Sequence, residues 1–168
     1  MLSRREAMAS GVAGTIALAP VQAAHAACTQ SDGLRERYLA YIAAFNAKRI
    51  PDFTSYYAPD VKFMLGAKLI SGRQGIIDWY EFAWTRITEH CVVRRLIVGE
   101  DGLASELETT FTAIADWPDF PSGPLRKGDV LRRIGFGHYD VQAGYFSRVA
   151  TALHRVIEAP AHWSKKNG

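Results

Sequence analysis

The sequence predicts an α+β fold in which three N-terminal helices pack inside a strongly curved, mainly antiparallel sheet. Two observations support this prediction. Apolar residues recur at helical spacing up to about residue 87, and four long runs of strand-like sequence follow them. Those strands can bury their apolar faces only if the sheet curls around the helices, which is an α+β arrangement.

The first predicted helix covers about residues 32–48 and buries one face. The apolar residues of this face follow one another at steps of three and four, and they are Leu34, Tyr38, Tyr41, Ile42 and Phe45. A second, short helix should begin near Pro51, because proline suits the first turn of a helix, and it should end before Pro59. This helix is expected to carry Tyr56 and Tyr57.

A third helix is predicted after a short hairpin in which "VKFML" turns back through Gly66 to "KLISG". Ser71 and Gln74 have the spacing of a capping box, so this helix should begin at Ser71. Its buried stripe is predicted from helical spacing and consists of Ile77, Tyr80, Trp84 and Ile87.

Four antiparallel strands are predicted in the second half of the chain. Their sequences are "HCVVRRLIV", "LASELETTFTAIADW", "DVLRRIGFGHYDV" and "YFSRVATALHRVI". Alternation along the second strand places Leu107 and Phe111 on its apolar face. The loop "DWPDFPSGPLRKG" should expose Trp117 and Phe120, and it fits a rim over a pocket as well as a long hairpin end.

Residues 1–26 read as an export signal that precedes the folded domain. Arg4 and Arg5 form a paired-arginine start that resembles the twin-arginine pattern, a short apolar run follows, and "AHA" at 24–26 suits a cleavage site. We therefore expect a periplasmic or secreted protein, exported by the twin-arginine or the general route, with no membrane segment after cleavage. Cys28 leaves a lipoprotein open as an alternative.

Residues 27–168 have a suitable length for one domain with one sizeable core. The formal net charge of the chain is only +3, and no basic stripe alternates with aromatic residues, so nucleic acid is not an expected partner. The histidines and cysteines lack metal-ligand spacing, so we expect no metal and no cofactor. A disulfide between Cys28 and Cys91 is left open, because its geometry cannot be obtained from sequence.

Three segments of the chain resemble the nuclear transport factor 2-like superfamily. They are "YIAAFNA" at the end of the first helix, "YYAPDVKF" at the start of the first strand, and "SGRQGIIDWY" at the start of the third helix. The superfamily includes SnoaL-like polyketide cyclases and ketosteroid isomerases, and the resemblance covers about residues 32–157. It implies a cone with an apolar pocket, open at one end, for a small cyclic or aromatic molecule.

The resemblance to ketosteroid isomerases places Tyr41, Tyr57 and Tyr80 on that family's three hydrogen-bonded pocket tyrosines. It implies that Tyr41 donates a hydrogen bond to the substrate oxygen while the other two polarise Tyr41. A phenol supported in this way, in a place poor in water, stabilises an oxyanion better than a phenol in solvent. The alternative interpretation is that the three tyrosines serve packing alone.

Two departures from the isomerase pattern argue against the isomerase reaction. Leu65 stands where those enzymes keep their general-base carboxylate, and Gly137 stands where they keep a protonated aspartate. Without a base, a proton cannot be removed from the substrate. The isomerase activity is therefore not transferred to this chain, and Leu65 is instead expected to contact substrate with Trp84 and Phe111.

Strand parity sorts the other candidate residues. If Gly137 faces the pocket, Arg133 and Tyr139 face it too, and Arg133 is the only charge inside, which suits a carboxylate-bearing or phenolic substrate. A register shift of one residue would instead turn His138 and Asp140 inward. In that alternative, His138 would be the catalytic base beside the tyrosines.

These residues favour an exported enzyme that carries out acid-base chemistry on a small molecule, as a lyase, dehydratase or isomerase. A binding protein without turnover is the first alternative. A structural domain is the second, in which the polar outer face of the sheet, with Glu106 and Glu108, forms a homodimer. A homodimer through this face is also the expected assembly of the enzyme.

Overall fold

The computed structural model describes the backbone of residues 19–163 and the side chains of residues 32–163. The helices are α1 (Ala19–Asn46), α2 (Ile50–Thr54) and α3 (Gly72–Ala83). The strands are β1 (Tyr57–Leu65), β2 (Lys68–Ser71), β3 (Ile87–Val98), β4 (Gly102–Ala113), β5 (Val130–Gln142) and β6 (Tyr145–Glu158). The predicted export signal lies outside the residues whose side chains are described.

The six strands form one curved, unclosed sheet in the order β2-β1-β6-β5-β4-β3. Neighbouring strands are antiparallel except β1 and β6, which pair in parallel, with Phe63 beside Val149. The helices cover the inner face of this sheet. The predicted α+β fold, with helices inside a curved and mainly antiparallel sheet, is confirmed.

The helices differ from the prediction at their ends. Helix α2 is only five residues long and ends at Thr54. Tyr57 therefore lies outside it and is the first residue of β1. The buried stripe of α3 passes through Ile76, Tyr80 and Ala83, one residue away from the predicted Ile77 and Trp84. The predicted extension of this stripe to residue 87 is also wrong, because the chain has already entered β3 there.

The predicted capping box at the start of α3 is not formed. Ser71 is the N-cap residue, but its side chain makes no capping hydrogen bond. The amide of Gln74 instead donates to Asp78 Oδ1 at 2.8 Å, one turn further along the helix. Arg73 takes part in anchoring this helix start, because its guanidinium donates to the carbonyl oxygen of Tyr57 at the beginning of β1.

The loop between β4 and β5, residues 114–129, folds back over the open end of the sheet and is called the rim loop below. Trp117 and Leu125 bridge its two arms through backbone hydrogen bonds of 2.8 and 3.0 Å. Trp117 and Phe120 are buried, at 4% and 7% exposure, so their predicted exposure is wrong. Burial of such rings contributes about 1.5–3 kcal/mol each, which stabilises the loop in this position.

Cys91 is a free, buried thiol on β3. The side chain of Cys28, with which the sequence left a disulfide open, lies outside the described side chains. The side chain of Cys91 points into the core, and the Asn46 side chain bonds both its backbone N–H and its carbonyl at 2.8 Å. Burial raises the pKa of the thiol well above its ordinary value. A buried thiol of this kind is unreactive.

Candidate active site

A cavity of about 600 Å³ lies between the helices and the inner face of the sheet. Helices α1 and α3, strands β1 and β3 to β6, and the rim loop form its wall. Most of the lining is apolar, and a small number of polar groups enter it, as is usual for small-molecule sites of this size. These groups include the hydroxyls of Tyr41, Tyr80 and Tyr139 and the charged groups of Glu89 and Arg133.

Tyr41 and Tyr57 form a hydrogen-bonded pair of phenols, with 2.6 Å between their hydroxyl oxygens. Tyr57 is fully buried behind the cavity wall, and among the described hydrogen bonds its hydroxyl has only Tyr41 as a partner. If Tyr41 donated to Tyr57, the proton of Tyr57 would remain buried without an acceptor, at a cost of about 1–3 kcal/mol. Tyr57 therefore donates, and the proton of Tyr41 is free to point into the cavity.

Tyr80 lines the cavity but is not hydrogen-bonded to this pair in the described structure. Its ring packs edge-on against Phe45 and Phe53 and tilts against Trp84, with ring centroids 5.2 to 5.3 Å apart. The sequence predicted a network of three tyrosines, whereas the structure has a pair and a separate third phenol. Burial raises the pKa of each of the three hydroxyls, so all three stay protonated at neutral pH.

Glu89 is the carboxylate that the sequence analysis missed. It lies on the inner face of β3, directly opposite Phe111 of β4, and lines the cavity. Burial raises its pKa from an ordinary value of 4.5 to about 7, and the positive charges of Arg133 and Lys48 oppose that rise. A carboxyl that ionises near neutral pH in an apolar cavity is suited to accept and return a proton.

The indole N–H of Trp84 lies behind Glu89. It is buried and, among the described residues, lacks a hydrogen bond of normal geometry. It is nevertheless close enough to Glu89 to lower the pKa of the carboxyl. Trp84, which the sequence predicts to contact substrate, is not among the residues that line the cavity, whereas Trp79 lines it from α3.

Arg133 reaches the cavity from β5, as strand parity predicts. Its guanidinium donates a hydrogen bond of 2.7 Å to Ser122 in the rim loop and lies 4.7 Å above the Phe111 ring. The prediction that Arg133 is the only charge inside is wrong, because Glu89 shares the cavity with it. The guanidinium has further N–H groups that can bind an anionic group of a ligand.

Leu65, Phe111 and Tyr139 all line the cavity, as expected for residues that contact substrate. His138 does not line it. The His138 side chain is 58% exposed on the outer face, where its Nδ1 lies 3.3 Å from Asp140 Oδ1. The register that would turn His138 inward is absent, because Gly137 and Tyr139 of the same strand occupy the inner face.

Glu89 was not identified from the sequence because the predicted start of β3 was wrong. The sequence predicts a strand that begins at His90 and a third helix that includes Ile87, so Glu89 belongs to neither predicted element. The chain in fact turns at 84–86, and β3 begins at Ile87. Counting back by two from the inward Cys91 gives Glu89, so alternation alone would have found it with the correct boundary.

No cluster of three or more His, Cys, Asp or Glu side chains that could hold a metal ion occurs among the residues that the structure describes. No helix in the same part of the chain has the length and apolar character needed to cross a membrane.

The fold and the cavity define a nuclear transport factor 2-like domain with an interior site for a small molecule. Residues 38–149 match the family described as the SnoaL-like domain, and the chain belongs to this family. Among curated proteins, no sequence matches this chain.

Three solved structures illustrate the shared fold. A candidate polyketide cyclase from Silicibacter sp. is 16% identical, with 81% of this chain and 96% of that chain covered and a TM-score of 0.62. A candidate ketosteroid isomerase from Kribbella flavida is 19% identical, with 83% and 90% covered and a TM-score of 0.59. An LEH-like epoxide hydrolase from M. tuberculosis is 10% identical, with 70% and 79% covered and a TM-score of 0.56.

Proposed function

We propose that the chain is an acid-base enzyme, a lyase, dehydratase or isomerase, for a small cyclic or aromatic molecule. Glu89 is the general base, and Tyr41 is the hydrogen-bond donor to the oxygen that becomes negative. One observation carries the proposal: a carboxyl with a pKa of about 7 shares an apolar cavity with a phenol whose proton is free to point inward. Cyclase, isomerase and hydrolase names among proteins of the same fold agree with it.

The reaction begins when the carboxylate of Glu89 removes a proton from a carbon next to a carbonyl group. The electron pair moves to the carbonyl oxygen, which then accepts a stronger hydrogen bond from Tyr41. In an isomerisation, the protonated Glu89 returns the proton to a different carbon. In a dehydration, the proton goes to a neighbouring hydroxyl, which leaves as water while a carbon–carbon double bond forms.

The residue that would fix the substrate in this site is Arg133. Its charge and its remaining N–H groups favour a substrate with a carboxylate or another anionic oxygen near the rim loop. Leu65 and Phe111 supply apolar contacts in the cavity lining. Tyr80 contributes a further hydroxyl at the cavity surface.

A nitrophenol is a suitable probe, because its absorbance distinguishes bound phenol from bound phenolate and the phenolate resembles the proposed intermediate. The wild type should bind the phenolate preferentially. Tyr41→Phe should lose about 1.5–3 kcal/mol of that preference, because a hydrogen bond to a charged oxygen is removed. An unchanged preference in Tyr41→Phe would show that Tyr41 is not an oxyanion donor.

The same probe tests Glu89. When the intermediate forms, Glu89 has taken up a proton, and glutamine imitates this uncharged state. Glu89→Gln should therefore bind the phenolate more tightly than the wild type above about pH 7, because the repulsion between two negative charges is removed. A non-catalytic binding protein would favour the neutral phenol and would respond little to either substitution.

We also propose that the protein is exported and acts as a homodimer. Arg4 and Arg5 support export through the twin-arginine route, and their replacement by lysine should retain the protein in the cytoplasm on cell fractionation. The outer face of the sheet, with the exposed rings of Phe136 and His154 beside Glu108 and Arg132, supports the dimer. Light scattering should give twice the chain mass, and Arg132→Glu, on the outer face, should give the monomer.

A further inference from the structure

A second chain of buried hydroxyls approaches the cavity from another side. Ser105 of β4 and Tyr38 of α1 are 2% and 0% exposed, so water cannot replace their hydrogen bonds. The Tyr38 hydroxyl lies 2.6 Å from Ser105 Oγ and donates to the Tyr139 hydroxyl at 3.5 Å. Because a phenol has one proton, Ser105 must donate the shorter bond. The protons in this chain therefore all point from Ser105 towards Tyr139.

Tyr139 is the last member of this series of hydrogen-bonded hydroxyls, and it lines the cavity. Its hydroxyl accepts the bond from Tyr38, and its own proton has no acceptor among the described hydrogen bonds. Burial raises the pKa of Tyr139 well above its ordinary value, so the proton is retained. Like Tyr41, Tyr139 accepts a hydrogen bond from a buried hydroxyl, so its own proton is free to point into the cavity.

Gly137 makes the space for this hydroxyl. A Cβ at this position would lie 2.8 Å from a ring carbon of Tyr139 and 3.3 Å from its hydroxyl oxygen. Gly137 sits in the middle of β5, where glycine weakens a strand, and its backbone is not in the left-handed region. The close approach of Tyr139 is the physical reason for glycine at this position.

Tyr41 and Tyr139 belong to the same end of the cavity. Their ring centroids are 6.2 Å apart, and the Tyr38 ring lies within 5.8 Å of Tyr41 and 5.1 Å of Tyr139. We propose that Tyr139 is a second donor to the developing oxyanion, so that an enolate or phenolate oxygen accepts hydrogen bonds from two phenols. Ser105 and Tyr38 are positioning residues that hold the hydroxyl of Tyr139 in its orientation. This inference rests on the proposed acid-base function.

The inference is tested with a nitrophenol in the Glu89→Gln background, in which the carboxylate charge does not interfere. The measured quantity is the ratio of phenolate affinity to phenol affinity, because a general loss of packing would change both affinities together. Tyr139→Phe should lower the ratio about 10- to 100-fold. Tyr56→Phe is the matched control, since Tyr56 packs on Tyr41 at 5.7 Å but does not line the cavity, and it should leave the ratio unchanged.

Two further variants keep the test decisive if Tyr139→Phe folds poorly. Gly137→Ala retains every hydroxyl but pushes the Tyr139 ring away, so it should lower the ratio nearly as much as Tyr139→Phe. Ser105→Ala removes only the first donor of the chain and should lower the ratio less. If both variants keep the wild-type ratio, Tyr139 is not a donor.

The outcomes also separate this inference from the proposed function. If the ratio of phenolate to phenol affinity falls in Tyr41→Phe but not in the Tyr139 and Gly137 variants, Tyr139 is not a second donor and the proposed function still stands. A ratio that changes in none of these variants would overturn both. Comparable losses in Tyr41→Phe and Tyr139→Phe, with none in Tyr56→Phe, are the result that the two-donor site requires.

Discussion

Glu89 determines how this site responds to pH. Its pKa is about 7 because the apolar cavity disfavours the charged form, and the charges of Arg133 and Lys48 only partly offset this effect. At neutral pH both the charged and the protonated form of the carboxyl are therefore populated, and the activity that we propose should rise as the pH increases through about 7.

The raised pKa of Glu89 also has a consequence for stability. Between about pH 4.5 and 7 the folded chain keeps a proton that the unfolded chain releases. The stability contributed by this group is therefore fully present below about pH 4.5 and is lost as the pH rises through about 7. Glu89→Gln should remove this loss and make the protein about 3 kcal/mol more stable than the wild type above about pH 8.

Urea unfolding at several pH values measures this difference. Glu81→Gln, which changes an exposed carboxylate on α3, is the matched control and should follow the wild type. Equal pH profiles for Glu89→Gln and the wild type would mean that Glu89 is not desolvated in the folded chain.

Sequence alone could predict which side chains of one strand face the cavity, because that direction follows from alternation along the strand. The inward positions of Arg133 and Tyr139 were predicted from parity with Gly137, and the structure places both at the cavity. The partners of these residues could not be predicted. The bond between Tyr38 and Ser105 joins residues 67 positions apart, and local periodicity contains no information on such a contact.

At the scale of elements, the segment from Trp84 to His90 was the hardest to predict. Ile87 continues the helical spacing of α3, yet it forms the first pair of β3, opposite Ala113 of β4. Pairing with a long neighbouring strand decides the conformation of these residues, and helix propensity does not. The error in one boundary was enough to remove the candidate base from the predicted site.

The rim loop is held by the segment after β6. Trp163 Nε1 donates to the carbonyl oxygen of Pro124 at 2.7 Å, and the indole ring covers Gly123 so closely that a Cβ there would lie 2.8 Å from it. His162 contacts the same carbonyl oxygen at 3.2 Å. Because this loop carries Phe120 and Ser122 into the cavity wall, the contact maintains one side of the site.

Trp163→Phe should loosen the rim loop, because it keeps an aromatic ring on Gly123 but removes the hydrogen bond to Pro124. The backbone amides of Trp117 and Leu125 should exchange their hydrogens several-fold faster, in keeping with the loss of about 1 kcal/mol. Tyr145→Phe, at the exposed turn between β5 and β6, is the control. Unchanged exchange at both amides would show that the loop does not depend on Trp163.

At the scale of the whole molecule, the open sheet and its helices separate two environments. The inner face holds the cavity, whereas the outer face carries charged groups such as Glu108, whose carboxylate lies 2.6 Å from Arg132. The sequence predicted this division through alternating polarity. The parallel pairing of β1 with β6, which brings Tyr57 beside Phe146, was not predicted. It joins distant segments, and periodicity within each strand does not indicate its neighbours.

The central claim is that a desolvated carboxyl at position 89 works together with inward-pointing phenols. The most direct measurement is a carbon-13 nuclear magnetic resonance titration of the side-chain carboxyls, in which the signal absent from Glu89→Gln identifies Glu89. The account predicts a midpoint near pH 7 for this signal in the free protein. The midpoint should be higher when a nitrophenol is bound. A midpoint near 4.5 that does not respond to the ligand would contradict the account.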